Sequence, residues 1–285
     1  MAQAFILTLS CPDGVGIVAR LARLMEEHGC FIASSRTFGD PQTGRFFARL
    51  VFNTPDDDAA LAGVKAAMSR LGEDLSADWK IRPSTERMRT LLLVSKSDHC
   101  ANTLLYAARR GELPIEVTGI VSNHDTLKAN FAHWNLPWFH VPVTAASKPA
   151  AEARLAEIIA ETGTELVVLA RYMQVLSQDA CRRLEGRVIN IHHSFLPGFK
   201  GAQPYHRAHA RGVKVIGATA HYVTADLDEG PIISQVTEAI DHSFTPEDMV
   251  ESGRHIEGIA LLRAVKAHAE HRVFQNSGKT VVFAR

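Results

Sequence analysis

The chain has 285 residues, 46% of them apolar and 22% charged, with 31 basic against 31 acidic side chains. That length points to two domains, the balanced charge offers no field to draw the protein to nucleic acid or an anionic membrane, and no stretch approaches the ~18 continuous apolar residues of a membrane span. The start, Met1-Ala2-Gln3-Ala4-Phe5, lacks an export signal, and Cys11, Cys30, Cys100 and Cys181 form no CxxC pair, so the reading is a soluble, cytoplasmic protein with a small-molecule partner.

Phe5 to Leu9 reads as a strand running into Cys11-Pro12-Asp13-Gly14-Val15-Gly16, whose glycines turn the chain into a helix. Ile17, Val18, Leu21, Leu24 and Met25 recur at helical spacing, and Gly29 stands where a helix ends. Strands follow at Phe31 to Phe38 and Phe46 to Phe52, then a helix near Asp57 to Leu71 and a strand near Ala77 to Arg82, giving βαββαβ. Pro83-Ser84-Thr85-Glu86-Arg87 is polar and aperiodic, so domains are expected at 1–85 and 86–285. Beyond it, apolar runs at Leu91 to Val94, Val117 to Val121, Leu166 to Leu169 and Val188 to Ile191 alternate with helical stretches. Such runs mean strands covered on both faces, hence a mostly parallel α/β sheet with its ligand at the carboxyl ends of the strands. Thr245-Pro246-Glu247-Asp248 starts a long helix reaching Val265, and a hairpin is expected around Asn276-Ser277-Gly278.

The chemistry concentrates in two stretches. In Asn190-Ile191-His192-His193-Ser194-Phe195-Leu196-Pro197, a strand ends with an amide and an imidazole two residues apart, which places both on one face. Asn can donate to a developing oxyanion, and His can move a proton near neutral pH. In Ala220-His221-Tyr222-Val223-Thr224-Ala225-Asp226-Leu227-Asp228-Glu229-Gly230-Pro231, an acidic loop can deliver a carboxylate to that imidazole.

The two stretches resemble the formyltransferase fold family, with its Asn-x-His-x-Ser followed downstream by Leu-Asp-x-Gly-Pro. Through His193-Ser194-Phe195-Leu196-Pro197, Gly201-Ala202-Gln203-Pro204-Tyr205-His206 and Gly217-Ala218-Thr219-Ala220-His221, the chain is similar to that family's formyltetrahydrofolate deformylase branch over nearly its whole length. The resemblance implies Asn190, His192 and Asp228 as catalytic residues and 10-formyltetrahydrofolate as substrate, with a Rossmann-like domain, no tightly bound cofactor and no metal. It also implies pterin contacts from the backbone of Met173, Gln174, Val175 and Leu176, closed on the other side by His221, Val223 and Thr224. The amino-terminal part resembles an ACT domain, ferredoxin-like in fold, whose members bind small amino acids at the turn occupied here by Asp13, Gly14, Val15, Gly16 and Ile17. Glycine or methionine as effector and a homo-oligomer are what that resemblance implies. An ordinary tight turn explains the same five residues.

Ribonucleotide-formylating members of the family carry a glycine-rich loop after the first strand of this domain, where free amides hold a phosphate. Here that loop is Ser95-Lys96-Ser97-Asp98-His99-Cys100, without glycine and with an acid, so water is the expected acceptor. The expected reaction is hydrolysis to formate and tetrahydrofolate, feeding one-carbon metabolism and purine synthesis. Transfer of the formyl group to an amine, or a non-catalytic folate or amino-acid sensor, are the alternatives. In the expected mechanism the formyl carbonyl lies between Asn190 and His192, while Asp228 orients the imidazole and helps place water. His193 and Ser194 read as packing and loop support, since no Gly-x-Ser-x-Gly elbow exposes the hydroxyl. His206 and His209 share a helical face without a third ligand and read as solvated; His221 suits either a core or a pocket wall; Arg254 and Glu257 read as exposed charge partners.

Overall fold

The structure is a computed structural model and describes residues 3–55, 58–198 and 204–284. Two compact units emerge, one formed by Met1–Glu86 together with Glu270–Arg285 and the other by Arg87–Ala269. The first runs β1 (Ala4–Pro12), α1 (Ile17–Glu27), β2 (Phe31–Asp40), β3 (Arg45–Asn53), α2 (Asp58–Leu75) and β4 (Asp78–Pro83). Its strands lie in the order β2-β3-β1-β4, every neighbour antiparallel. Leu7 and Leu9 of β1 pack with Leu21 and Met25 of α1 and Met68 of α2, all buried. A large apolar side chain taken fully out of water contributes roughly 1.5–3 kcal/mol, so this stripe carries the helices onto the sheet.

The second unit is an α/β domain with a mixed sheet of seven strands. It comprises β5 (Met88–Val94), α3 (His99–Arg109), β6 (Ile115–Ser122), α4 (Lys128–Phe131), β7 (Trp138–His140), α5 (Lys148–Glu161), β8 (Leu166–Leu169), α6 (Gln178–Arg183), β9 (Val188–His192), α7 (Pro204–Ala210), β10 (Val215–Tyr222), β11 (Ile232–Ala239) and α8 (Pro246–Ala269). The order is β11-β10-β9-β8-β5-β6-β7, with β5 to β9 parallel and β10 running against both of its neighbours. From β5 the chain moves out to β6 and β7 and then crosses back to β8, so strand order reverses between β5 and β8. The crevice at that reversal is where an open sheet of this kind takes its ligand. Ser95, just past β5, donates to Asn123 Oδ1 at 2.6 Å and accepts from the backbone N–H of Met173 at 2.9 Å, tying the loops on either side of the crevice together.

Helix α8 begins with a reciprocal cap: Thr245 Oγ1 accepts from Asp248 N at 3.2 Å, and Asp248 Oδ2 accepts from Thr245 N at 2.8 Å. The helix packs on β10, β11 and α3. Its buried stripe includes Ile256, Ala260 and Leu261 and also Glu257, only 2% exposed, so the expectation of an exposed Glu257 is corrected; Arg254 is exposed. Glu257 tolerates burial because His99, Arg171 and Tyr205, all distant in sequence, arrive around its carboxylate.

After α8 the chain rejoins the first unit as a hairpin, β12 (Val273–Asn276) and β13 (Lys279–Val282). Ser277 and Gly278 both have positive φ, 48° and 78°, as a two-residue hairpin turn requires. The hairpin supplies Phe274 against Phe47 of β3, ring centroids 5.6 Å apart, and Asn276 donates to Asp40 Oδ2 at 2.6 Å. The expected domain limits of 1–85 and 86–285 therefore differ from the observed units in their last stretch. The reason is that β3 buries Phe46 and Phe47 on opposite faces, and the second face takes its cover from the end of the chain.

Candidate active site

Strand β9 delivers Asn190 and His192 to one face of the sheet, and register places His221 of β10 directly opposite Asn190 and Thr219 opposite His192. The chain leaving β8 turns at Arg171, whose φ is 67°, passes through residues 172–176 and enters α6, capped by Ser177 accepting from Ala180 N at 3.1 Å. On the other side, the loop after β10 folds back so that Tyr222 N donates to Pro231 O at 2.9 Å. That return admits only glycine at position 230, because a Cβ there would stand 1.7 Å from the Tyr222 carbonyl oxygen. The closure presents Asp228, itself at φ 57°, a left-handed conformation that Asp adopts more readily than most residues.

Asp228 Oδ2 lies 3.2 Å from His192 Nδ1, and its Oδ1 lies 3.8 Å from His221 Nε2. The His192 hydrogen bond outweighs burial and holds the Asp228 carboxyl below its usual range. An ionised carboxylate only accepts, so His192 Nδ1 carries the proton and Nε2 is left as its working atom. His192 Nε2 is buried and has no hydrogen-bond partner among the described residues. His221 Nδ1 faces the Tyr222 carbonyl at 2.9 Å and must donate to it. Burial pushes the His221 imidazole toward its neutral form, so its Nε2 accepts from Asn190 Nδ2 at 3.3 Å. The Asn190 amide thereby donates one N–H to His221, and its second N–H has no partner among the described residues.

A cavity of about 380 Å³ opens on Asn190, His192, His221 and Asp228. Met173, Gln174, Val175 and Leu176 form one wall; Val223 and Thr224 form another. Every residue expected at the substrate site thus lines one space. The Met173 N–H is taken up by Ser95 Oγ at 2.9 Å. Met173, Val175 and Leu227 are exposed apolar side chains at the rim, suited to the faces of a flat heterocycle.

Two members of this wall, and a third residue behind it, escaped the sequence reading. Arg171 lines the cavity, with its Nε 3.5 Å from Glu257 Oε2. His193 also lines it, its ring 5.2 Å from that of His192, and burial with the Arg171 charge pushes its pKa down to about 4. Glu257 stands behind, accepting from His99 Nε2 at 3.0 Å and from the Tyr205 hydroxyl at 3.2 Å. Burial opposes its charge, but the His99 hydrogen bond and the Arg171 charge prevail and keep it ionised. Ligand atoms of His99, Cys100 and Glu257 lie within 4.8 Å of one another, yet the Arg171 guanidinium beside the carboxylate repels a dication there.

The remaining expectations lie elsewhere. Asp13 to Ile17 form the turn before α1: Asp13 Oδ1 accepts from Gly14 N at 2.8 Å, Asp13 N donates to Gly44 O at 2.8 Å, Val15 is exposed, and Gly16 has φ 86°. His206 and His209 are exposed on α7. Ser194 donates to Gly198 O at 2.9 Å, a loop contact. Gly201, Ala202 and Gln203, quoted for the resemblance, lie outside the described residues.

Residues 88–265 match the formyl transferase family. A formyltetrahydrofolate deformylase of Corynebacterium sp. (strain P-1) is 44% identical over 277 residues, 97% of each chain. One from Bacillus subtilis (strain 168) is 40% identical, covering 97% of this chain and 93% of its own. The crystal structure of formyltetrahydrofolate deformylase from Burkholderia mallei superposes with a TM-score of 0.95 at 48% identity, covering 99% of this chain and all of that one. The chain belongs to the formyl transferase family, in its group of formyltetrahydrofolate deformylases.

Proposed function

We propose that this chain hydrolyses 10-formyltetrahydrofolate to formate and tetrahydrofolate, with Asn190, His192 and Asp228 as the reacting centre. The observation that carries the reading is the approach of Asp228 to His192 Nδ1 at 3.2 Å, with Nε2 lacking a partner among the described residues and the Asn190 side chain lining the same cavity. Water adds through oxygen to the formyl carbon, and the proton it loses passes to His192 Nε2. The carbonyl oxygen becomes an oxyanion that accepts from the Asn190 amide, a contribution worth roughly 3–4 kcal/mol in comparable sites. Collapse breaks the carbon–N10 bond; N10 keeps the electron pair and takes the proton from His192, and formic acid yields its own proton to solvent as formate. Met173, Gln174, Val175 and Leu176 hold the pterin on one side, and His221, Val223 and Thr224 hold it on the other. Each step uses side chains of this chain, and the reading requires no metal or tightly bound cofactor.

Residues 1–85 act as an ACT domain for regulation and oligomer formation. The βαββαβ order, the strand order β2-β3-β1-β4 and the open turn at Asp13, Gly14, Val15, Gly16 and Ile17 support this, with glycine or methionine as the effector. Four cysteines without disulfides suit the cytoplasm, and no described helix is long and apolar enough to cross a membrane. Released formate enters one-carbon metabolism and purine biosynthesis. Purified protein given 10-formyltetrahydrofolate alone is expected to release formate in proportion to tetrahydrofolate, with a rate altered by glycine or methionine. Formate release only after an amine is added would instead make the enzyme a transferase, and stoichiometric binding without turnover would make it a sensor.

A further inference from the structure

Arg171 is the one Lys or Arg side chain on the catalytic cavity's wall among the described residues. Its placement is enforced. The backbone adopts φ 67° there, the side chain is 17% exposed, and Glu257 holds the guanidinium at 3.5 Å. That contact lies outside hydrogen-bond geometry, and Nε is buried without a hydrogen-bond partner. Glu257 meanwhile accepts from His99 on one oxygen and from Tyr205 on the other. Glu257 therefore anchors Arg171 through Nε, while the two Nη groups make no hydrogen bond among the described residues. Those Nη groups belong to a planar fork that matches a carboxylate.

The reaction itself makes such a ligand. Hydrolysis turns a neutral formamide into a carboxylate beside Asp228, which is already ionised. Two anions in one enclosed space repel, and the product needs a counter-charge to separate from the carboxylate that helped make it. His193 does not supply one, since it is neutral near pH 7. We propose that Arg171 is the binding residue for the formate product, receiving its carboxylate through guanidinium N–H groups and drawing it away from Asp228, with Glu257 as the positioning residue. This rests on the deformylase reading for the origin of the formate. The folate's glutamate carboxylates share the same chemistry, but the depth of Arg171 favours the one-carbon anion.

The test measures formate binding by saturation-transfer NMR on the full chain, together with formate inhibition of turnover, for wild type, Arg171→Met and Arg171→Lys. Formate is expected to bind R171M at least tenfold more weakly, with R171K intermediate because it keeps the charge and lacks the fork. The loss of formate affinity should exceed any change in folate KM at least fivefold. Should R171M fail to fold, a weakening of at least threefold in R171K carries the same test. Formate binding within twofold of wild type in the folded variants overturns the proposal. A defect in folate KM that disappears with a formylated substrate lacking glutamate also overturns it, by assigning Arg171 to the folate tail. Wild type that binds formate through Arg171 without turning over 10-formyltetrahydrofolate would sink the hydrolase reading alone.

Discussion

His193 stands between His192 and Tyr205, with ring centroids 5.2 Å and 6.2 Å away, and burial holds its pKa near 4 against an ordinary 6.5. Between those values the unfolded chain binds a proton that the folded chain refuses. The stability this group contributes is complete above about pH 6.5 and drains away as pH falls toward 4, on the order of 3 kcal/mol in all. Urea unfolding at pH 7.5 and 4.5 is expected to show the wild-type loss shrinking by about 2–3 kcal/mol in His193→Gln; equal losses in both proteins would contradict it. Asn190, His192 and Asp228 were legible in the sequence because their spacing at a strand end and their Asp-x-Gly-Pro loop are local patterns. Glu257 was not: its partners His99 and Tyr205 lie 158 and 52 positions away, and nothing in a helix sequence announces which acid will be buried. Arg171 was not singled out either, because its charge acquires meaning from the cavity it lines.

Among the elements, β5, β6, β8 and β9 could be read as continuous apolar runs because helices cover both of their faces. The reversed direction of β10, which sets His221 across from Asn190, has no counterpart in periodicity, since a strand's pattern is the same in either direction. The loop that follows depends on Gly230. Gly230→Ala is expected to push the loop off the Tyr222 carbonyl, carry Asp228 away from His192 and lower formate release at least tenfold, at a stability cost of about 1–3 kcal/mol. Unchanged turnover in that variant would show that the loop's closure does not place the carboxylate.

At the scale of the molecule, the sequence divided the chain once, whereas the folded chain returns to its first unit at Glu270. The hairpin's role is decided by Phe47, buried on the face of β3 that α1 and α2 leave open. Phe47→Ala is expected to cost about 3–5 kcal/mol, read as a lower denaturant midpoint; a shift below 1 kcal/mol would mean that the hairpin covers little. The division of labour remains simple: one unit holds the turn proposed for an effector, and the other holds every residue of the reacting centre. In the proposed mechanism Asp228 makes His192 competent to take a proton from water. Single-turnover formate release with saturating 10-formyltetrahydrofolate and no amine tests this most directly, comparing wild type with Asp228→Asn, which keeps the shape and removes the charge. A fall of roughly 10³–10⁴ with folate still bound is the expected result; a rate within tenfold of wild type would contradict it.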